Sequence, residues 1–324
     1  MSIGESPPGE RVGEDEIEAS RATAQRIAAN VSGAVEVSDV TLQHAMIALL
    51  AEGHVLVEDL PGVGKTTLAR SLARSMDLQF ARIQCTADLL PADVVGTNVF
   101  NQREDRFEFR PGPIFANVVI VDEINRASPK TQSGLLECMQ ERRVTVDVHT
   151  HELARPFLVL ATQNPVEYEG TYPLPEAQVD RFMMRLSLGY PSASGEADML
   201  AHYERGDRIP ELEPVASAAD VLFAQRAADR VRASDALRRY VVGVLQRTRD
   251  DARLELGASP RAGLMLLRAA KARALLEGRD HALPDDVQAL AESVLAHRLV
   301  LAPEAVDSTP AQVVADALAA TPAL

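Results

Sequence analysis

Cysteine is scarce: Cys85 and Cys138 are the only two in 324 residues. Neither lies in a C-x-x-C pair or at a metal-ligand spacing, which excludes a disulfide or cysteine-metal framework and fits two small buried hydrophobes in a reducing compartment. No uninterrupted apolar run approaches the roughly 20 residues that cross a bilayer, so direct membrane insertion is not expected. The opening stretch, MSIGESPPGERVGEDEIEAS, is acidic and has no apolar core of the kind that directs export, and the expected location is the cytoplasm. Basic charge is also short, with 33 Lys and Arg against 47 Asp and Glu and a formal net charge of −14. A protein whose main partner is nucleic acid needs a clustered basic face. The arginines of the C-terminal third, such as Arg226, Arg230, Arg232, Arg238 and Arg239, are instead interleaved with acids and alanines at helical spacing, as on a solvated helix face. Nucleic acid is therefore not an expected partner. Internal repeats at solenoid periods are absent as well.

What remains is a globular composition, 46% apolar and 25% charged. Its length exceeds what one hydrophobic core usually serves, so two packed units are expected. Residues 1–17 combine Pro, Gly, Ser and acids with few large apolar side chains, and read as a disordered acidic tail. From Glu18 to Ala51, apolar residues at three- and four-residue spacing predict two helices. Short apolar strands then alternate with helices: His54 to Glu58, Phe80 to Cys85, Val118 to Asp122 and Phe157 to Thr162, with helices over Lys65 to Ser75 and Pro129 to Gln140. That alternation predicts an α/β core over residues 18–190, a parallel sheet flanked by helices. Thr97 to Arg110 and Arg143 to Arg155 interrupt it as two inserted hairpins. Beyond Tyr190-Pro191 the chain is rich in Ala, Leu and Arg at helical periodicity, so residues 191–324 are expected to form a linker and a smaller all-α domain.

Chemistry concentrates at three strand ends. Asp59-Leu60-Pro61-Gly62-Val63-Gly64-Lys65-Thr66 matches the phosphate-binding loop G-x-x-x-x-G-K-[ST], except that Asp59 replaces the first glycine. It lies between a predicted strand and a predicted helix, the context its mechanism requires. Pro61, Gly62, Val63 and Gly64 would turn backbone N–H groups toward phosphates, and the following helix adds its positive end. Lys65 would neutralise β- and γ-phosphates, and Thr66, with Thr67 beside it, would bring a hydroxyl to Mg²⁺. Asp59 is expected to leave its side chain outside the anion site.

The strand Val118 to Val121 ends in Asp122-Glu123, with Asp122 as a Mg²⁺ ligand and Glu123 as the group that polarises the attacking water. The next strand ends in Asn164, which could orient that water. His149 and His151 share a strand face, but two ligands without a third make a weak metal site.

These motifs, in this order, resemble the AAA+ ATPases, and their wording resembles the MoxR family. The likeness spans most of the chain, through His54 to Thr66, Arg110 to Phe115, Asp122 to Ala127, Ala161 to Pro165, Gly170 to Phe182 and Gly257 to Ala262. It implies a P-loop AAA+ core with a helical lid, ATP and Mg²⁺ as cofactors, and assembly into a ring, usually a homo-hexamer. Arg181, in Asp180-Arg181-Phe182, looks like the arginine finger that reaches a neighbour's nucleotide, and Arg261 like the second sensor arginine, acting in cis or in trans. The hairpins resemble the helix-2 insert and the pre-sensor-1 hairpin of relatives, which makes Phe100, Phe107 and Phe109 candidate contacts for a protein client. Val37-Ser38 stands where many relatives carry Gly-Gln beside the adenine.

The leading functional expectation is a chaperone-like ATPase that acts with a von Willebrand factor A domain protein. The alternatives are the ATPase subunit of a magnesium-chelatase-like machine, a nucleotide-gated scaffold with little turnover and, least expected on charge, a DNA motor.

Overall fold

The computed structural model describes residues 11–59, 62–164, 170–190, 193, 195–197 and 212–323. Its contacts divide the chain into two units, Arg26–Ala218 and a second that joins the residues up to Gln25 to Ala219–Leu324. The division falls within the first helix, α1 (Glu14–Ser32).

The Arg26–Ala218 unit is built on a five-stranded parallel sheet. Its strands are β1 (Val55–Glu58), β2 (Phe80–Gln84), β5 (Val118–Asp122), β8 (Leu158–Gln163) and β9 (Met184–Leu186), in the order β2-β5-β8-β1-β9. The central strands read as continuous apolar runs because both faces are covered: Val118 to Val121 and Leu158 to Ala161 are all buried. Helix α3 (Lys65–Ser75) places Leu68, Ala69, Leu72 and Ala73 on one buried stripe against β5. Each leucine buried in this way stabilises the fold by about 1.5–3 kcal/mol. Helices α2 (Asp39–Leu50), α4 (Pro91–Val95), α5 (Pro129–Glu141) and α6 (Glu176–Val179) also belong to the unit. Two antiparallel hairpins are set into it, β3 (Gly96–Asn101) with β4 (Arg106–Pro111), and β6 (Arg143–Val146) with β7 (His149–Glu152). The parallel register brings the carboxyl ends of β1, β5 and β8 to one edge of the sheet, the edge where open α/β sheets bind ligands.

The second unit packs α7 (Ala218–Arg230), α8 (Asp235–Arg249), α9 (Pro260–Leu276), α10 (Pro284–Leu295) and α11 (Pro310–Ala319). The fully buried Asp286 carboxylate ties α9 to α10, accepting from Arg273 at 2.6 Å, from Arg279 at 2.6 and 2.8 Å and from the Leu283 N–H at 2.8 Å. Burial alone would raise the Asp286 carboxyl, but Arg279, the Leu283 N–H and Arg273 outweigh it and hold the group below the usual carboxylate range. Among the described residues no helix is long and apolar enough to cross a membrane.

Three expectations change. The acidic tail does not extend to residue 17: α1 starts at Glu14, where Glu16 accepts from the Gly13 N–H at 2.9 Å and pairs with Arg230. Val12 and Ile17 are buried and supply the apolar anchor of this helix start, while residues 1–10 lie outside the described residues. The boundary near 191 also lies outside the described residues, and the contacts divide the chain at Ala218 instead. The reason is that Val215 and Ala216 donate to Ser75 O at 2.9 and 3.1 Å, and Glu213 O accepts from Asn30 at 3.0 Å, all within the core unit. Finally, the second unit is not wholly helical, because β10 (Leu254–Leu256) pairs with β11 (Val300–Leu301) in a short antiparallel ribbon.

Candidate active site

Strand β1 delivers the chain to the glycine-rich loop, of which Leu60 and Pro61 lie outside the described residues. Gly62 and Gly64 have φ of 86° and 93°, left-handed values that disfavour any side chain even where, as at Gly62, space for one is open. Gly64 is also the N-cap of α3 and makes no side-chain cap hydrogen bond there. By contrast, α2, α5, α8, α9 and α11 are capped by Ser38, Ser128, Ser234, Ser259 and Thr309. α3 further carries no acid in its first turn, where Lys65, Thr66 and Thr67 are half-buried. An uncapped, acid-free helix start behind two left-handed glycines fits a polyanion, since helix N–H groups and the helix dipole both favour negative charge there.

Lys65 donates from Nζ to the Asp59 carbonyl at 2.8 Å. Burial pulls its ammonium below the ordinary lysine range, and the negative charges of Asp59, Asp122 and Glu123 oppose that pull. The lysine and the two strand-end acids therefore share one electrostatic environment. The Asp59 carboxylate turns away from the loop and accepts from Ser187 Oγ at 2.9 Å, from the Leu188 N–H and from the Gly189 N–H at 3.3 Å.

At the end of β5, Asp122 is buried and Glu123 adopts a left-handed backbone, φ 55° and ψ 51°. Thr162 on β8 joins them: its Oγ1 accepts from the Glu123 N–H at 2.9 Å and lies 3.4 Å from Asp122 Oδ1. On the other side, β2 supplies two polar side chains at alternate positions. Arg82 Nε donates to Asp122 Oδ2 at 2.6 Å, and Gln84 Nε2 donates to Glu123 Oε2 at 3.0 Å. Arg126 forms a second ion pair with Glu123 at 3.2 Å. Asn164, one residue past β8, is buried. Thr66 and Asp122 offer the hard oxygen donors that Mg²⁺ takes alongside phosphates and water.

The structure does not join Arg181 to this cluster. Its Nη1 donates to Leu136 O on α5 at 3.0 Å, and its Nε is buried without a hydrogen-bond partner. Arg181 lines a cleft of about 710 Å³ with Gln178, Glu137, Glu141 and Arg143. Arg261 stands in the first turn of α9, in the second unit.

A family described as "ATPase family associated with various cellular activities (AAA)" matches residues 54–184, the span from the strand before the glycine loop to β9. The AAA lid domain matches residues 246–317. Chaperone MoxR1 of Mycobacterium tuberculosis is 42% identical over 306 residues, 92% of this chain and 80% of the relative. The chain belongs to the MoxR family of AAA+ ATPases. A second relative in this family, Protein MoxR of Methylorubrum extorquens, is 34% identical over 87% of this chain and 89% of its own length. The YeaC protein of Bacillus subtilis, whose function is uncharacterised, is 55% identical over 81% of this chain and 82% of its own. The crystal structure of a candidate ATPase from Cytophaga hutchinsonii superposes with a TM-score of 0.88 at 38% identity, covering 94% of this chain and 96% of that one.

In this MoxR-family chain Ser38 is the helix cap of α2 and accepts from the Thr41 N–H at 3.1 Å. The two hairpins lie side by side, joined by Asn98 to Asp147 at 2.6 Å. Phe109 stacks on His151 at a centroid distance of 4.0 Å, so that pair serves packing. Phe107 meets Phe100 at a centroid distance of 5.2 Å yet stays 71% exposed, and Val148 is 86% exposed. Among the described residues no group of three His, Cys, Asp or Glu could hold a metal ion, and His149 and His151 gain no third ligand. Sequence reasoning missed Arg82, Gln84 and the bridging part played by Thr162. The available signal was the polar alternation Arg82-Ile83-Gln84 on a strand otherwise expected to be apolar.

Proposed function

We propose that the chain hydrolyses ATP with Mg²⁺ as one subunit of a ring, and that the ring remodels or activates protein complexes together with a von Willebrand factor A domain partner. The observation that carries this reading is the convergence, at one sheet edge, of a helix start without a side-chain cap, a half-buried lysine and the pair Asp122 and Glu123, whose carboxylate and backbone N–H respectively meet at Thr162 Oγ1. A phosphate site alone would serve a switch; a second, water-facing carboxylate is what hydrolysis adds.

In this reading the N–H groups of Gly62 to Thr67 and the Lys65 ammonium hold the β- and γ-phosphates. Thr66 and Asp122 would hold Mg²⁺, which when bound neutralises charge on the phosphate oxygens. Asn164 orients a water, and Glu123 draws its proton as the water oxygen bonds to the γ-phosphorus. The bond from that phosphorus to the bridging oxygen breaks, and ADP leaves with the electron pair. The left-handed backbone of Glu123, fixed by Thr162, supports this placement, because a non-glycine residue held there is sterically costly.

Arg181 acts on the nucleotide of the next subunit, where its guanidinium stabilises charge on the transferred phosphoryl group. Its bond to Leu136 instead of the chain's own carboxylates supports a role in trans. Arg261 is assigned as the second sensor arginine on the family likeness of Gly257 to Ala262. The ring and its partner rest on family membership, and the name Chaperone MoxR1 supports the remodelling activity.

A steady-state assay of ATP hydrolysis across a wide range of protein concentration tests the proposal. Specific activity that rises with concentration is expected, because a site completed between subunits forms only on assembly. Negligible turnover at every concentration, despite bound nucleotide, would favour the switch instead.

A further inference from the structure

Asp59 departs from the glycine of the phosphate-loop pattern, and the structure gives its carboxylate an occupation the pattern does not explain. The residue is buried, and its two ends hold different partners. Its carbonyl accepts from Lys65 Nζ at 2.8 Å, while its carboxylate accepts from Ser187 Oγ, the Leu188 N–H and the Gly189 N–H. Ser187 to Gly189 is where the chain leaves β9, the edge strand paired to β1 through Val57 and Leu186. The same segment is fixed from a third direction, since Thr41 at the start of α2 donates to Ser187 O at 3.1 Å. Gly189 has φ of 70°, a conformation few side chains tolerate, and a Cβ there would meet nothing within 4 Å. Beyond this point the chain returns to the second unit, at Ala219.

We infer that Asp59 is a positioning residue that couples phosphate occupancy of the loop to the release of the Ser187–Gly189 segment. This rests on the nucleotide site proposed above. When phosphate oxygens take the Lys65 ammonium, the Asp59 carbonyl loses a charged donor, which is worth more than a neutral one. The peptide that carries the carboxylate is then free to turn, and the two backbone N–H groups it holds become easier to open. A glycine at position 59 could hold Lys65 by its carbonyl but could not transmit the change, because it has no second end.

Hydrogen–deuterium exchange of the full chain, with and without a non-hydrolysable ATP analogue, tests this at the amides of Leu188 and Gly189. In the native chain the analogue is expected to speed their exchange about tenfold, the effect of losing one charged hydrogen bond. In Asp59→Ala the same amides exchange fast throughout and no longer respond. Asp59→Asn, which keeps one acceptor oxygen, gives an intermediate response. Binding of a fluorescent ADP is measured on each chain, so that the response of the amides is compared at equal nucleotide occupancy. Native amides that do not respond, or a full response in Asp59→Ala, would overturn the coupling while leaving the nucleotide site intact. Failure of the native chain to bind nucleotide at all would overturn both. Should the alanine variant not fold, the native and asparagine measurements still decide the matter.

Discussion

The side-chain amide of Gln84 donates to the carboxylate of Glu123 at 3.0 Å, across the β2–β5 pair. Arg126 grips the same oxygen at 3.2 Å, so the group assigned to polarise water is aimed from two sides. Gln84→Ala is expected to lower kcat about tenfold, a fraction of what a whole general base contributes, and to leave KM unchanged. Initial-rate kinetics over a range of ATP concentrations check this. A raised KM with unaltered kcat would show that Gln84 serves binding.

Arg181 leans on Leu136 and keeps a buried Nε without a partner, an arrangement that costs free energy unless something else engages the guanidinium. Arg181→Ala should retain the native assembly on size-exclusion chromatography and lose roughly 10³-fold in kcat. Mixing it with Glu123→Gln should restore part of the activity, since some sites then combine an intact Glu123 with a neighbour's intact Arg181. No recovery on mixing would place the arginine in cis.

Burial, with Asp122 and Glu123 nearby, pushes the Cys85 thiol up to about 12, and burial with Glu137 nearby pushes Cys138 up to about 11. Only the thiolate is nucleophilic, so neither cysteine should react with a thiol reagent in the folded chain near pH 8. Reactivity should appear as the pH rises toward those values, or at once on unfolding. Counting modified thiols by mass spectrometry under native and denaturing conditions makes the comparison, and rapid native labelling at pH 8 would contradict the burial.

Much of this was legible in the sequence, for identifiable reasons. The strand Val118 to Asp122 and the turn at Gly62 and Gly64 are local features, set by a run of β-branched residues and by left-handed backbone. Local sequence carries both. The strand β9 was missed because Met184-Arg185-Leu186 is three residues long, and what makes it a strand is its pairing with β1, reinforced by Arg185 to Glu58 at 3.0 Å. The Asp59 clamp and the Arg82–Asp122 pair join positions 128 to 130 and 40 residues apart, and no periodicity records such contacts. The tail failed for the opposite reason. Composition averaged over 17 residues hid two apolar side chains, Val12 and Ile17, that are enough to dock a helix start.

The most direct test of the central claim is phosphate release by the native chain and by Glu123→Gln, side by side, at saturating ATP and Mg²⁺, with fluorescent nucleotide binding measured on both. The account predicts equal binding and at least about a 10²-fold fall in turnover for the variant, the contribution of a positioned base. Normal turnover by Glu123→Gln would contradict it.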